Sequence, residues 1–420
     1  MINPTLQVIP GSALGQIALD DSLYHVLNLL RAGRKSFSGF SVVYSDESLH
    51  SSHIIVNIDI GVRLRFESAS QKLRLIEVLD FAGCRMTYNG GEVSRSGKPS
   101  FRSVYKLFGP TYPGDYDEEH EQYVVSWPGV AFTFPLPIHL YKKDLDFVST
   151  LSAPSALPAT AMAIFQGSNW GEAQAKLGDI VGRPQSSSSR SRGSQRCGDV
   201  ERVVVHVGSH AAIETGLDTP TSTIYFGSST VQDVVMELGP PEEVFKKYDN
   251  RMNIHRVDRK ASPSSSLGDI ESDDHAEADY FYNYFKNGID VLFDGREHVV
   301  KQVVLHGNLP AAFDFQRWRR VQWTAQIPDR DDCHTEDSIT SEMEFGQVKT
   351  KLSRRYGGAG DPMILNRGSN SPTSSCELVG DGEEGKEMSN TAWATTELYG
   401  WPNMIFEVLR GSGISRLTVF

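Results

Sequence analysis

Tyr280-Phe-Tyr-Asn-Tyr-Phe285, Lys286-Asn-Gly288 and Ile289-Asp-Val-Leu-Phe293 read together as a β-hairpin. Two short runs rich in aromatic and β-branched residues flank a turn that ends in glycine. A third apolar run follows over 299–305. Upstream, Ser229-Thr-Val-Gln-Asp-Val-Val-Met-Glu-Leu238 sets Val231, Val234, Val235 and Leu238 on one helical face. Ser229 with Gln232 three residues on predicts a capping box, and Gly239-Pro240-Pro241 ends the helix. The stretch thus predicts a helix, a turn and antiparallel strands. Tyr280, Tyr282 and Tyr284 alternate with Phe281 and Phe285, so that strand is buried on both sides or offers one face to a partner.

The pattern recurs along the chain. Near the start, Leu23, Val26, Leu27 and Leu30 form a helical stripe, with Asp20 or Asp21 as N-cap and Gly33 near the stop. Strand-like runs follow at 40–44, 53–60, 62–66 and 73–79, where Val62, Leu64 and Phe66 alternate with Arg63 and Arg65. A second copy has Phe101, Val104 and Phe108, then Gly109-Pro110, a strand over 123–127, a turn at Pro128-Gly129, and a strand ending at Phe134. Pro135 and Pro137 then break the pattern, so its third strand is lost or displaced. The last copy has Phe345, Val348 and Leu352 on a helix, with strands over 403–409, which holds Phe406, and 414–420. Spacing supports repetition: Ile76 and Val78 lie 15 and 17 residues after Gly61, and Val303 and Leu305 lie 15 and 17 after Gly288. The positions that mark the repeat are Gly61, Phe66, Gly109, Gly129, Phe134, Gly239, Pro240, Tyr284, Gly288, Phe293 and Phe406.

These signals predict an α+β protein of repeated helix-plus-antiparallel-strand units, with twisted antiparallel sheets and helices on one face. An N-terminal module of two units spans 1–182, and a C-terminal module of two units spans 199–420. Between them, 183–198 is a Ser/Arg-rich flexible linker. Polar inserts near 259–279 and 366–390 read as disordered.

Composition narrows the function. The 420 residues carry a net charge of −12, which argues against nucleic acid or direct contact with an anionic membrane. No run approaches the ~20 apolar residues of a membrane span, and the first residues lack the basic and apolar regions of a secretory leader. Cys84, Cys197, Cys333 and Cys376 are scattered, with neither disulfide-framework nor zinc spacing, which suits a cytoplasmic protein.

Catalytic motifs are not found. His206 and His210 have i, i+4 spacing, but Val203-Val-Val205 before them predicts a strand and turn. Asp331-Asp-Cys-His334 lies in a polar loop, and Glu118-Glu119 and Glu242-Glu243 sit at turns or helix starts. Glu407 alternates with apolar neighbours and is expected to point away from their core. With no P-loop, dinucleotide fingerprint or nucleophile elbow, the chain is expected to be no enzyme and to hold no metal or cofactor. The candidate binding residues are Trp318, Arg319, Arg320 and Trp323, on an Arg-rich strand candidate over 313–327, because Trp and Arg dominate interface hot spots.

The run from Tyr280 to Asp294, together with Val304-Leu-His306 and Met404-Ile-Phe-Glu-Val408, resembles the eukaryotic phagosome assembly factor family. Tyr225-Phe-Gly227, Leu238-Gly-Pro240, Val244-Phe-Lys246, Phe108-Gly-Pro-Thr-Tyr-Pro-Gly114, Val43-Tyr-Ser45 and Ile76-Glu-Val78 extend the resemblance over most of the chain. It implies a non-catalytic autophagy adaptor that acts with a WD-repeat β-propeller partner at the forming phagophore, with membrane contact through that partner. As an alternative it implies a factor of Golgi-to-plasma-membrane transport at the trans-Golgi network. A lipid or small-ligand module using an aromatic sheet face is the rival reading from the residues themselves.

Overall fold

Alternating residues become strands with one buried face: Val62, Leu64 and Phe66 turn inward while Arg63 and Arg65 stay partly exposed. The computed structural model describes residues 4–33, 37, 39–45, 52–94, 97–142, 146–179, 200–215, 221–247, 278–327, 338–358, 360–366, 395–409 and 413–420. The expected linker and nearly all of both expected inserts lie outside the described residues. The described residues fall into two compact units. The first holds those up to 179 together with Leu309–Gln316, and the second holds 200–308, Arg317–Asn366 and Thr395–Phe420.

In the first unit the order is β1 (Thr5–Ile9), β2 (Ala13–Leu14), β3 (Ile17–Ala18), α1 (Leu23–Ala32), β4 (Phe40–Val43), β5 (Ile54–Ile58), β6 (Val62–Phe66), β7 (Leu73–Val78), β8 (Arg85–Tyr88), β9 (Gly91–Glu92), α2 (Phe101–Phe108), β10 (Asp115–Asp117), β11 (Gln122–Trp127), β12 (Val130–Pro135), α3 (Phe147–Leu151), β13 (Ala161–Phe165) and α4 (Trp170–Asp179). Its large sheet runs β10-β11-β12-β13-β7-β6-β5-β4, and its small sheet β3-β2-β1-β8-β9. The displaced strand is β13, which pairs antiparallel with both β12 and β7 at the sheet centre.

The second unit has β14 (Arg202–His206), β15 (His210–Glu214), β16 (Ser222–Tyr225), α5 (Val231–Leu238), β17 (Glu243–Lys246), β18 (Tyr280–Tyr284), β19 (Ile289–Phe293), β20 (Val300–His306), β21 (Gln322–Gln326), β22 (Ser338–Thr340), α6 (Phe345–Tyr356), β23 (Met363–Asn366), β24 (Thr395–Trp401), β25 (Met404–Leu409) and β26 (Ile414–Val419). Its sheets run β23-β24-β25-β26-β20-β19-β18-β17 and β16-β15-β14-β21-β22, the same order as in the first unit.

The α+β class holds, with one amendment to the antiparallel expectation. β1 pairs in parallel with β8, and β14 with β21, because each member of a pair opens its own half-unit. Two cap expectations also move by a residue or two. α1 is capped by Ser22, and the capping box of α5 is Thr230 with Asp233, because Ser229 instead accepts from the Tyr225 backbone.

Helix ends are tied to the strands beyond them. Trp127 Nε1 donates to the carbonyl of Gly109 at the end of α2, and the Tyr284 hydroxyl donates to the carbonyl of Gly239 at the end of α5. Phe66, Phe134, Tyr284, Phe293 and Phe406 are all fully buried, whereas Pro240 is exposed. Gly288 turns β18 into β19 at φ 69°, and a Cβ there would overlap the Arg319 carbonyl, so the turn admits only glycine. Gly61 turns β5 into β6 at φ 79°.

Cys84 is buried in the first unit, and burial, then the charge of Asp80, pushes its thiol up to about 11. At pH 8 about one molecule in a thousand therefore holds the thiolate that alkylating agents attack. We expect Cys84 to resist iodoacetamide at pH 8 in the folded chain and to react in urea. Peptide mass spectrometry checks this, and native labelling at the urea rate would contradict the burial.

Candidate functional site

Ile289, Val291 and Phe293 of β19 face the core that α5 and α6 cover. Period-two alternation therefore turns Asp290 to the opposite face of the large sheet. The same rule puts His306 of β20, Arg416 of β26 and Glu407 of β25 on that face, since Leu305, Leu417, Phe406 and Val408 point to the helices. Arg416 is the cross-strand partner of both His306 and Glu407, so the four side chains form a polar row over adjacent strands.

The row consists of two bonded groups joined through the ring of Trp318. His306 Nε2 lies 2.7 Å from Asp290 Oδ2, and Trp318 Nε1 donates to Asp290 Oδ1 at 2.9 Å. The indole of Trp318 stacks on the His306 ring at 4.2 Å and 4°, and the Arg416 guanidinium lies 5.6 Å over the same indole. Arg416 in turn meets Glu407 at 3.7 Å, and Thr396 of β24 donates to Glu407 Oε1 at 2.9 Å. Asp290, His306, Glu407 and Thr396 are all buried. Each charge thus has the partner that burial demands.

Trp318, just ahead of β21, makes the roof. Asn308, which follows β20, has positive φ. Trp318 is 7% exposed, Arg320 5% and Trp323 3%. Arg320 donates to the carbonyls of Gly307 and Ser341, and Trp323 packs in the helix-side core near Phe406. The expectation of an accessible Trp–Arg patch on one strand is therefore corrected. Only 322–326 are strand, and the two Trp side chains go to opposite faces of the unit's interior. Arg319 is half-buried. Arg317 is the exposed member, stacked over Trp318 at 4.8 Å and Phe285 at 5.4 Å and meeting Glu243 at 3.3 Å.

Glu407 leaves the helix-side core as expected, and the far face that receives it is buried too. Glu407 carries no sequence signal for burial. The polar residue inside Ile289-Asp-Val-Leu-Phe293, where the whole strand is buried, was the one clue.

Other titratable groups serve the scaffold. Lys301 bridges Asp294 at 2.5 Å and Asp279 at 3.0 Å. Lys301, with the backbone N–H groups of Glu297 and Arg296, holds the Asp294 carboxyl far below the usual range. His206 and His210 face each other across the turn from β14 to β15, as the strand-and-turn reading expects, with rings stacked at 4.2 Å. Burial, then His206, lowers the His210 imidazole. Among the described residues no three His, Cys, Asp or Glu side chains converge as a metal site.

The model of one protein family, phagosome assembly factor 1, matches residues 13–420. The chain belongs to the phagosome assembly factor family. An Arabidopsis thaliana PHAF1 protein is 29% identical over 420 residues, covering 98% of this chain and 92% of its own. A Drosophila melanogaster PHAF1 protein is 27% identical over 443 residues, covering 99% and 94%. A Caenorhabditis elegans PHAF1 protein is 32% identical over 310 residues, covering 68% of each. No solved structure is significantly similar to the chain. Within this phagosome assembly factor, the polar row and its Trp318 roof lie inside the matched region.

Proposed function

We propose that this chain acts in phagosome assembly as a non-catalytic adaptor, reaching the forming phagophore together with a WD-repeat β-propeller protein. The observation that carries the reading is family membership along 13–420. The second unit supports it, because its clustered Asp, His, Arg and Glu side chains are bonded to one another inside the fold. The partner-binding role of the 317–323 segment then rests on Arg317, which is exposed, with Trp318 and Arg320 as the support that sets it.

Membrane contact runs through the partner in this reading. No helix of the described residues is long and apolar enough to cross a bilayer. A net charge of −12 also disfavours an anionic lipid surface.

Affinity purification of the full chain from fed and starved host cells tests this. A WD-repeat protein recovered in near-equal amount, with both proteins moving to membranes on starvation, is the expected result. Recovery of the chain alone, with liposome binding by the pure chain, would overturn the adaptor reading in favour of direct lipid recognition.

A further inference from the structure

Among the described residues, β17 is the last strand of the second unit's large sheet, and none of them pairs with its outer side. Its residues are all exposed, and Val244 and Phe245 are 51% and 55% exposed. An open strand carrying apolar side chains on both faces is a template for another strand.

The existing ladder decides which groups point outward. Lys247 N donates to Asp279 O at 2.8 Å, which makes that pair hydrogen-bonded. In an antiparallel ladder bonded residues alternate, so Glu243, Phe245 and Lys247 direct their backbone groups to β18. Val244 and Lys246 direct theirs to the open edge. A strand docking there must meet residues 244 and 246.

We propose that this edge pairs with the β17 of a second copy of the chain, antiparallel and centred on Phe245. Only one two-fold register centred on an inward-bonding residue matches the full length of the edge. It pairs Val244 with the partner copy's Lys246 through backbone bonds and sets Phe245 opposite Phe245. It also sets Glu243 opposite Lys247. The Phe–Phe and Glu–Lys pairs fall at the non-bonded positions, where side chains of neighbouring strands come closest. Phe281 stands beside Phe245 in the ladder, so the contact lines up aromatic side chains from both copies.

Charge is what selects a second copy over an arbitrary strand. Lysine on a sheet edge ordinarily guards against pairing. Here the self-register converts that guard into two Glu–Lys pairs, one at each end of the contact. Glu243 also meets Arg317, and that pair is exposed on both sides and leaves room for a second cation. Two such short strands bury well under the ~1,200 Å² of a standard interface, so association is weak and rises with concentration.

Sedimentation of the full chain from micromolar to submillimolar concentration, with two charge variants, tests the register. The wild-type chain is expected to shift from monomer to dimer. Glu243→Lys alone and Lys247→Glu alone set like charges against each other at both ends, so each variant is expected to stay monomeric. Lys247→Glu leaves the Arg317 pair in place, and circular dichroism verifies that both variants fold. Mixed together, the two variants are complementary and are expected to form a heterodimer at least tenfold more readily than either forms a homodimer. A monomeric wild type across the range would overturn the proposal, as would wild-type dimers that both variants retain. Failure of the mixture to associate while wild type dimerises would overturn this register and, with it, the proposal.

Discussion

A chain that stops at Trp401 will lose the second unit altogether. It lacks β25 and β26, and β26 is the strand that joins the β24–β25 half of the sheet to β20. Met404, Phe406, Val408, Ile414, Leu417 and Val419 are all buried against α6 and the neighbouring strands. Burying one such side chain stabilises by about 1.5–3 kcal/mol, so their loss removes on the order of 10 kcal/mol. A domain holds only about 5–15 kcal/mol of net stability. Loss of β26 also leaves the edge of β20 unpaired, exposing an apolar strand to aggregation. Hydrogen exchange is the measurement: amides of 280–306 should exchange as in an unfolded chain, while those of 54–78 in the first unit keep their protection. Protected, cooperative exchange over 280–306 in the truncated chain would refute the sheet order described here.

The hairpin reading was legible because its signals are local. Gly288 must turn, the residues on either side alternate, and Tyr280 to Phe293 close into β18 and β19 with Tyr284 opposite Ile289. The helical stripes of Leu23, Val26, Leu27 and Leu30, and of Phe345, Val348 and Leu352, were legible for the same reason. The parallel contacts were not. β14 and β21 lie far apart along the chain, and nothing in Val203-Val-Val205 or Trp323 names the other as a neighbour.

The candidate site was half legible. Trp318 and Arg320 stood out by residue type, but residue type suits a buried anchor as well as an exposed one. What decided between them is the packing of the Trp318 indole on His306 and its bond to Asp290, both inside the second unit. Asp290, Glu407 and Arg416 become a connected row only through cross-strand register, which no single strand records.

Replacing Trp318 by alanine will destabilise the second unit by about 3–5 kcal/mol, the cost of deleting a buried aromatic and leaving the space. Three separate losses meet at this side chain. The ring leaves His306 uncovered, Asp290 loses the indole N–H donor, and the guanidiniums of Arg416 and Arg317 lose the face they lie over. Trp318→Phe separates them: it keeps a ring over His306 and removes only the donor, so a smaller loss of about 1–3 kcal/mol is expected from the under-bonded carboxylate. Chemical denaturation followed by far-ultraviolet circular dichroism reads both variants, and partner recovery in the affinity experiment reads a second consequence. If Trp318 acts as the support under Arg317, then Trp318→Phe folds and retains the partner, while Arg317→Glu folds and loses it. An unchanged midpoint for Trp318→Ala would show that the roof contributes nothing to the fold, and the buried row beneath it would need another explanation.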